Sequence, residues 1–117
     1  MIEGGCATDI AAAFAEVTGA LRRTVGSEDE PMMNVFCTHS GEGWRLAIFP
    51  RRKHRPDAYY RVGEGRLSVS PGAAEMGGVF VTHREEDFQA LDPGLVGAIF
   101  REVAFDDAAI ETLFAAL

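Results

Sequence analysis

The chain has 117 residues, of which 47% are hydrophobic and 25% are charged, and its formal net charge is −7. These values are typical of one globular domain that is large enough to bury a hydrophobic core. They exclude intrinsic disorder, a collagen-like repeat and a small disulfide scaffold. No apolar stretch approaches the roughly 18 residues that a transmembrane helix needs. We therefore expect residues 1–117 to form a single domain.

The N-terminal residues and the cysteines indicate a reducing compartment. Residues 1–6 have neither the basic start nor the apolar run of a secretory signal. Cys6 and Cys37 are far apart in the sequence, and a chain without a secretion signal usually keeps its thiols reduced. We expect free thiols, a cytoplasmic location and no membrane partner.

The first predicted element is an amphipathic helix from Asp9 to Val25. Thr8 or Asp9 is expected to cap its first turn, and Gly26 is expected to end it. The helix is predicted because apolar residues recur with a period of 3.6, at Ile10, Ala13, Phe14, Val17, Ala20, Leu21 and Val25.

A β-hairpin is predicted next. Met33, Val35 and Cys37 alternate with their neighbours, and the same alternation resumes at Trp44, after a short loop that contains two glycines. Two period-two runs joined by a short loop are typical of paired antiparallel strands. Both faces of this hairpin carry apolar residues, which favours a central place in a sheet that a helix covers on one side.

The remaining elements complete an α+β pattern. A third strand is predicted at 66–70 and a fourth at 78–82, and a short helical turn follows at 84–90. Asp92 is expected to cap a helix that begins with Pro93 and runs to Val103, and the last helix is expected to start at Asp106. Because the strands run together, the sequence predicts an antiparallel sheet of about four strands, in the order helix, four strands, two helices.

Positive charge is concentrated in one part of this acidic chain. The stretch from Arg45 to Arg66 holds seven basic residues and two acidic ones, so the rest of the chain carries a net charge of −12. An acidic body argues against general nucleic-acid binding, whereas a local basic patch on it suits a small anion. The alternative is a solvated basic loop that serves solubility.

The basic patch is densest at Arg51, Arg52, Lys53, His54 and Arg55, which lie between Pro50 and Pro56. In extended geometry Arg51, Lys53 and Arg55 would share one side, where they could bind a phosphate. Phosphate contact is therefore predicted for the five residues, with His54 as a hydrogen-bond donor. The alternative is an edge strand that charge protects from aggregation.

Two aromatic residues, Tyr59 and Tyr60, follow the basic run. Aromatic rings beside arginines are candidates for stacking on a nucleotide base. Tyrosines next to a core strand also serve as half-buried packing residues, so both interpretations stay open.

The sequence shows no metal, cofactor or nucleophile signature. His39, His54 and His83 form no paired histidine motif, and Cys37 next to His39 on one strand face would supply only two ligands. No serine or cysteine has a recognisable nucleophile setting. We expect no metal, no cofactor and no catalytic residue.

Three segments of the chain resemble a known family: Glu30-Pro31-Met32-Met33-Asn34-Val35, the run from Trp44 to Pro56, and the run from Leu67 to Thr82. They are similar to the C-terminal half of proteins related to galactose-1-phosphate uridylyltransferase, diadenosine tetraphosphate phosphorylase (ATP adenylyltransferase) and GDP-hexose phosphorylase. The resemblance covers about residues 10 to 105, and its most specific block is Phe-Pro-Arg-Arg-Lys-His-Arg-Pro. It implies a histidine-triad-like fold, in which helices flank an antiparallel sheet.

The family transfers nucleotidyl groups through a His-x-His-x-His or His-x-His-x-Gln motif of the preceding half, and this sequence lacks that motif. Three hypotheses follow. The preferred one is a non-catalytic, nucleotidyltransferase-like domain that binds a nucleotide or sugar nucleotide. The others are one subunit of a split transferase or phosphorylase, completed by a partner with the histidine motif, and a structural module that forms homo-oligomers.

Overall fold

The computed structural model describes all of residues 1–117, which divide into two compact units. The first unit comprises residues 1–50 and 105–117, and the second comprises residues 51–104. The chain has three strands and five α-helices, so the predicted α+β class is confirmed.

The first unit contains one antiparallel sheet and two helices. Its elements are β1 (Ile2–Gly4), α1 (Ala7–Val25), β2 (Met33–Ser40), β3 (Gly43–Pro50) and α5 (Asp107–Ala115). The strand order is β1-β3-β2, so β3 is central. The predicted hairpin is confirmed, and its register runs from Met33 opposite Pro50 to Ser40 opposite Gly43.

The core of the first unit lies between its two helices. Ala20 and Leu21 of α1 and Leu113 of α5 are buried together. The helix α1 ends at Gly26, as predicted. Gly26 has a φ of 66°, and its N–H donates to the carbonyl of Arg22. The predicted N-terminal cap is wrong, because α1 begins two residues earlier, after Cys6, and no side chain caps it.

The second unit contains three helices around a small core. Its helices are α2 (Ala73–Met76), α3 (Glu85–Ala90) and α4 (Pro93–Val103), and a 3-10 turn spans Asp57–Tyr60. The core consists of Leu67, Val69 and Ile99. Asp92 caps α4 as predicted, because its carboxylate accepts a hydrogen bond of 2.8 Å from the N–H of Leu95.

The prediction of four strands is wrong in two places. Segments 66–70 and 78–82 form no strand, and the third strand of the sheet is β1 instead. In the first segment, the N–H of Leu67 donates to the carbonyl of Ala58 and the N–H of Ser68 donates to the carboxylate of Asp87. Loop carbonyls and carboxylates therefore take the place of a neighbouring strand.

None of the five helices combines the length and the apolar character that a bilayer crossing requires.

Candidate functional site

The basic segment 51–55 follows β3 and precedes the 3-10 turn Asp57–Tyr60. The segment is not an extended strand, since it bends at 52, 54 and 55. The N–H groups of Arg52 and Lys53 both donate to the carbonyl of Val103, at 2.9 and 3.4 Å. In an extended strand successive N–H groups point in opposite directions, so they cannot donate to one carbonyl. The extended geometry that the sequence predicted for residues 51–55 is therefore not formed.

Arg51 lies inside the second unit and is only 5% exposed. Its guanidinium donates to the carbonyl of Pro71 and, at 2.5 Å, to the carbonyl of His54. Burial lowers the pKa of Arg51, and the nearby carboxylate of Glu75 opposes that shift. A ligand that reached this guanidinium would have to displace two backbone carbonyl groups.

Arg52 binds the C-terminal end of α4. Its Nε donates to the carbonyl of Glu102 at 3.1 Å, and its Nη2 donates to the carbonyl of Arg101 at 2.6 Å. Carbonyls in the last turn of a helix lack partners within the helix and carry partial negative charge. Arg52 therefore acts as a side-chain cap that joins the basic segment to α4.

Lys53 lies between two carboxylates. Its Nζ is 2.8 Å from Asp57 Oδ1 and 2.8 Å from Glu102 Oε1. The hydrogen bonds to Asp57 and then to Glu102 raise the pKa of Lys53, and the same bond from Lys53 lowers the pKa of Asp57. Glu102 also accepts a hydrogen bond of 2.7 Å from the N–H of Asp57.

Arg55 is exposed, and its guanidinium donates to no backbone carbonyl and to no carboxylate of the chain, unlike the side chains of Arg51, Arg52 and Lys53. Its guanidinium carbon lies 4.2 Å from the centroid of the Tyr59 ring, and its Nε donates to Ser70 Oγ at 3.2 Å. The two terminal nitrogens make no hydrogen bond within the chain. We call Arg55, Tyr59 and Ser70 the Arg55 stack.

The Arg55 stack has exposed polar and aromatic neighbours in the sequence. His54 is exposed, and Tyr60 is 66% exposed while its ring meets the ring of Tyr59 edge-on at 5.4 Å. Arg61 is exposed as well and contributes to the lowered pKa of Asp57. The stack can thus offer a fixed, planar donor pair to a phosphate, with an aromatic surface next to it in the chain.

Sequence reasoning did not identify the partners of the basic residues. Three of their contacts, Glu102, Pro71 and Ser70, lie between 15 and 50 residues away in the chain. Asp57 lies only four residues after Lys53, but that spacing brings side chains together on a helix, and the sequence predicted an extended segment here. The structure brings no group of three or more His, Cys, Asp or Glu side chains into an arrangement that could hold a metal.

Comparison with known proteins gives one family. The model described as "GDPGP1-like, C-terminal domain" matches residues 4–116. A search of curated proteins and a search of solved structures returned no match. The family match supports the likeness to proteins related to GDP-hexose phosphorylase. The chain belongs to the GDPGP1-like C-terminal domain family.

Proposed function

We propose that this chain is a domain of a phosphorylase-type protein and that it binds a phosphate-bearing ligand, either a nucleotide or a sugar nucleotide. The family match over residues 4–116 supports the first part. The catalytic group is not assigned to this chain, because its three histidines form no His-x-His motif. The domain therefore contributes binding, and the histidine chemistry belongs elsewhere in such a protein.

One observation carries the binding proposal, namely the Arg55 guanidinium held between Tyr59 and Ser70. The ring face and the hydroxyl hold the guanidinium of this exposed residue, while its terminal nitrogens have no hydrogen-bond partner within the chain. A fixed guanidinium loses less side-chain entropy when it binds, and its two terminal nitrogens match two oxygens of a phosphate. No competing carboxylate has to be displaced.

The other predicted site residues take different parts in this proposal. His54 and Tyr60 flank Arg55 and are exposed, so they are the candidates for a second hydrogen bond and for base stacking. Arg51, Arg52 and Lys53 contact groups of their own unit. Their proposed part is to hold the segment in the shape that presents Arg55.

The resemblance also predicts a relationship to galactose-1-phosphate uridylyltransferase and a histidine-triad-like fold. Both remain predictions. So does a cytoplasmic location.

A second candidate function is a subunit that completes a split phosphorylase or transferase. The match to a C-terminal domain, together with the missing histidine motif, favours it. Activity that appears only after addition of a polypeptide with that motif would support this candidate, and binding of nucleotide without any such partner would favour the first.

Isothermal titration calorimetry tests the binding proposal with GDP, a GDP-hexose, a UDP-hexose and inorganic phosphate as probes. We expect at least one nucleotide to bind, and we expect weaker binding at about 300 mM than at about 50 mM salt because exposed charges are screened. Arg55→Gln should weaken binding by roughly tenfold or more, since a hydrogen bond to a charged group is lost.

Arg22→Gln is the matched control for Arg55→Gln. Arg22 is exposed on α1 in the first unit, and its substitution removes the same charge. Its affinity should equal that of the wild type. Absence of heat with every probe for a folded sample would overturn the proposal, and so would equal losses in the two variants.

A further inference from the structure

A cavity lies between α1 and the sheet of the first unit. Its volume is about 200 Å³. Ile10 of α1 and Leu46 of β3 line it and are buried, while the rings of Phe14 and Trp44 line it and are half-buried. Apolar side chains of the helix and of the sheet thus enclose one space within a single unit.

The cavity exists because α1 places small residues opposite the sheet. Ala7 and Ala11 lie about one turn apart on α1, and both line the cavity. Each side chain is a single methyl group, whereas closely packed interiors fill such a space with larger side chains. Ala7, Ala11 and Cys37 of the facing strand β2 are exposed, so the cavity opens to solvent beside them.

The wall that the sheet contributes consists of paired strand residues. Cys37 lies opposite Leu46 in the register of β2 and β3, and side chains two positions apart share a face, so Val35 and Trp44 lie on the same side. The Trp44 ring also contacts the ring of His39, with 4.6 Å between their centroids. The wall is therefore formed by the sheet itself and is present before any ligand arrives.

The chemistry of the lining selects an apolar occupant. No Asp, Glu, Lys, Arg or His side chain lines the cavity, and the only polar side-chain groups there are the thiol of Cys37 and the indole N–H of Trp44. An ordered water needs two to four polar partners, whereas an apolar cavity of roughly 150 Å³ binds benzene. The volume of about 200 Å³ therefore fits one six-membered ring with a short substituent.

Charge and size exclude two other kinds of occupant. The first unit holds ten of the 18 acidic residues of the chain and three of the 11 basic ones, so its field repels anions. A charged group would also lose its hydration in a cavity that offers no ionic partner. An α-helix of a partner protein is about 10–12 Å across with its side chains, which is too wide for this volume.

We propose that this cavity is a binding site for a small, uncharged molecule with one aromatic ring. The ring of the ligand contacts the rings of Phe14 and Trp44, and the sulfur of Cys37 adds a favourable sulfur–aromatic contact at the opening. The cavity belongs to the first unit and the Arg55 stack to the second. This ligand is therefore a different one from the nucleotide, and its binding does not depend on Arg55.

Fluorine nuclear magnetic resonance of fluorobenzene, titrated with the purified full chain, tests the proposal. We expect saturable binding that toluene displaces and that benzoate, the same ring with a negative charge, does not. Trp44 is the one tryptophan of the chain, so its fluorescence reports on the cavity. Addition of toluene should change this fluorescence along the curve that displaces fluorobenzene.

Ala11→Leu fills the opening of the cavity and should weaken fluorobenzene binding at least about tenfold. Ala12→Leu is the matched control, because Ala12 is exposed on α1 and does not line the cavity, so its affinity should equal that of the wild type. Circular dichroism checks that both variants fold.

The wild-type measurements decide the proposal even without a variant. No saturable binding up to the solubility limit of fluorobenzene would overturn it. Displacement by benzoate as strong as that by toluene, or Trp44 fluorescence that stays constant during binding, would also do so. A folded Ala11→Leu variant that binds fluorobenzene like the wild type would overturn the assignment to this cavity.

Discussion

The guanidinium carbon of Arg55 lies 4.2 Å from the centroid of the Tyr59 ring. This contact separates Arg55 from Arg51, Arg52 and Lys53, which bind carbonyls and carboxylates of their own unit. A guanidinium over a ring face keeps its in-plane donors open, because the ring occupies only its face. The contact thus explains how one cation of the basic segment stays available to a ligand.

Tyr59→Leu should weaken nucleotide binding about two- to fivefold, since a cation–π contact at an exposed site contributes about 0.5–1 kcal/mol. Calorimetry with GDP measures the change. Tyr59→Phe keeps the ring and should bind as the wild type does. If the Phe variant lost as much affinity as the Leu variant, the hydroxyl group rather than the ring face would be responsible.

Glu75 is a buried carboxylate that holds two loops of the second unit. It accepts hydrogen bonds from the N–H of Gly72 at 2.8 Å and from the N–H of Val81 at 3.3 Å. Glu75→Ala should lower the free energy of unfolding by about 3 kcal/mol, because it leaves both donors without an acceptor. Urea unfolding measures this loss.

Glu64→Ala is the control for the Glu75 variant, because Glu64 is exposed on a turn. Its free energy of unfolding should change by less than about 0.5 kcal/mol. Equal stabilities of the two variants would show that Glu75 does not hold these loops.

The Lys53–Asp57 pair predicts a defined pH dependence. The pKa of Asp57 is lowered from 3.8, so its contribution to stability is full above that value and is lost as the pH falls through the lowered pKa. The pKa of Lys53 is raised from 10.5, so its contribution is full below that value and is lost as the pH rises through the raised pKa.

Comparing the wild type with Lys53→Met/Asp57→Asn by urea unfolding at several pH values tests this dependence. The stability difference should be largest between those limits, shrink outside them and decrease with added salt, because both groups are solvent-exposed. A difference that stayed constant from about pH 3 to about pH 11 would contradict it.

Gly43 starts β3 in a conformation that other residues rarely adopt. Its φ is 115°, and a Cβ atom there would lie 2.7 Å from the carbonyl oxygen of Gly4. Gly43→Ala should therefore destabilise the chain by about 1–3 kcal/mol. Thermal unfolding of both variants measures this effect. Gly41→Ala is the control, because a Cβ atom there meets open space at an ordinary φ, and its stability should be nearly that of the wild type.

The sequence predicted those features that short-range signals determine. Asp92 before Pro93 located the start of α4, Gly26 located the end of α1, and two alternating runs around a short loop gave the hairpin. Each of these depends on residues within a few positions of one another. Features of this kind can therefore be predicted from the sequence alone.

Features that depend on distant residues were missed. Segments 66–70 and 78–82 alternate like strands, but strand formation needs a neighbouring strand, and Asp87 and Glu75 bind their amides instead. The strand β1 has only three residues, Ile2–Gly4, which is too short to show a period. The roles of the basic residues depend on Glu102 and on carbonyls that no local pattern reveals.

Nuclear magnetic resonance with labelled arginine and tyrosine tests the central claim most directly, because it reports on Arg55 and Tyr59 themselves during a titration with GDP or a GDP-hexose. We expect the Arg55 Nε–Hε resonance and the Tyr59 ring resonances to shift along one saturating curve, while Arg51 Nε–Hε stays nearly unchanged. Saturating shifts at other residues with Arg55 unmoved would contradict the claim that this guanidinium contacts the phosphate.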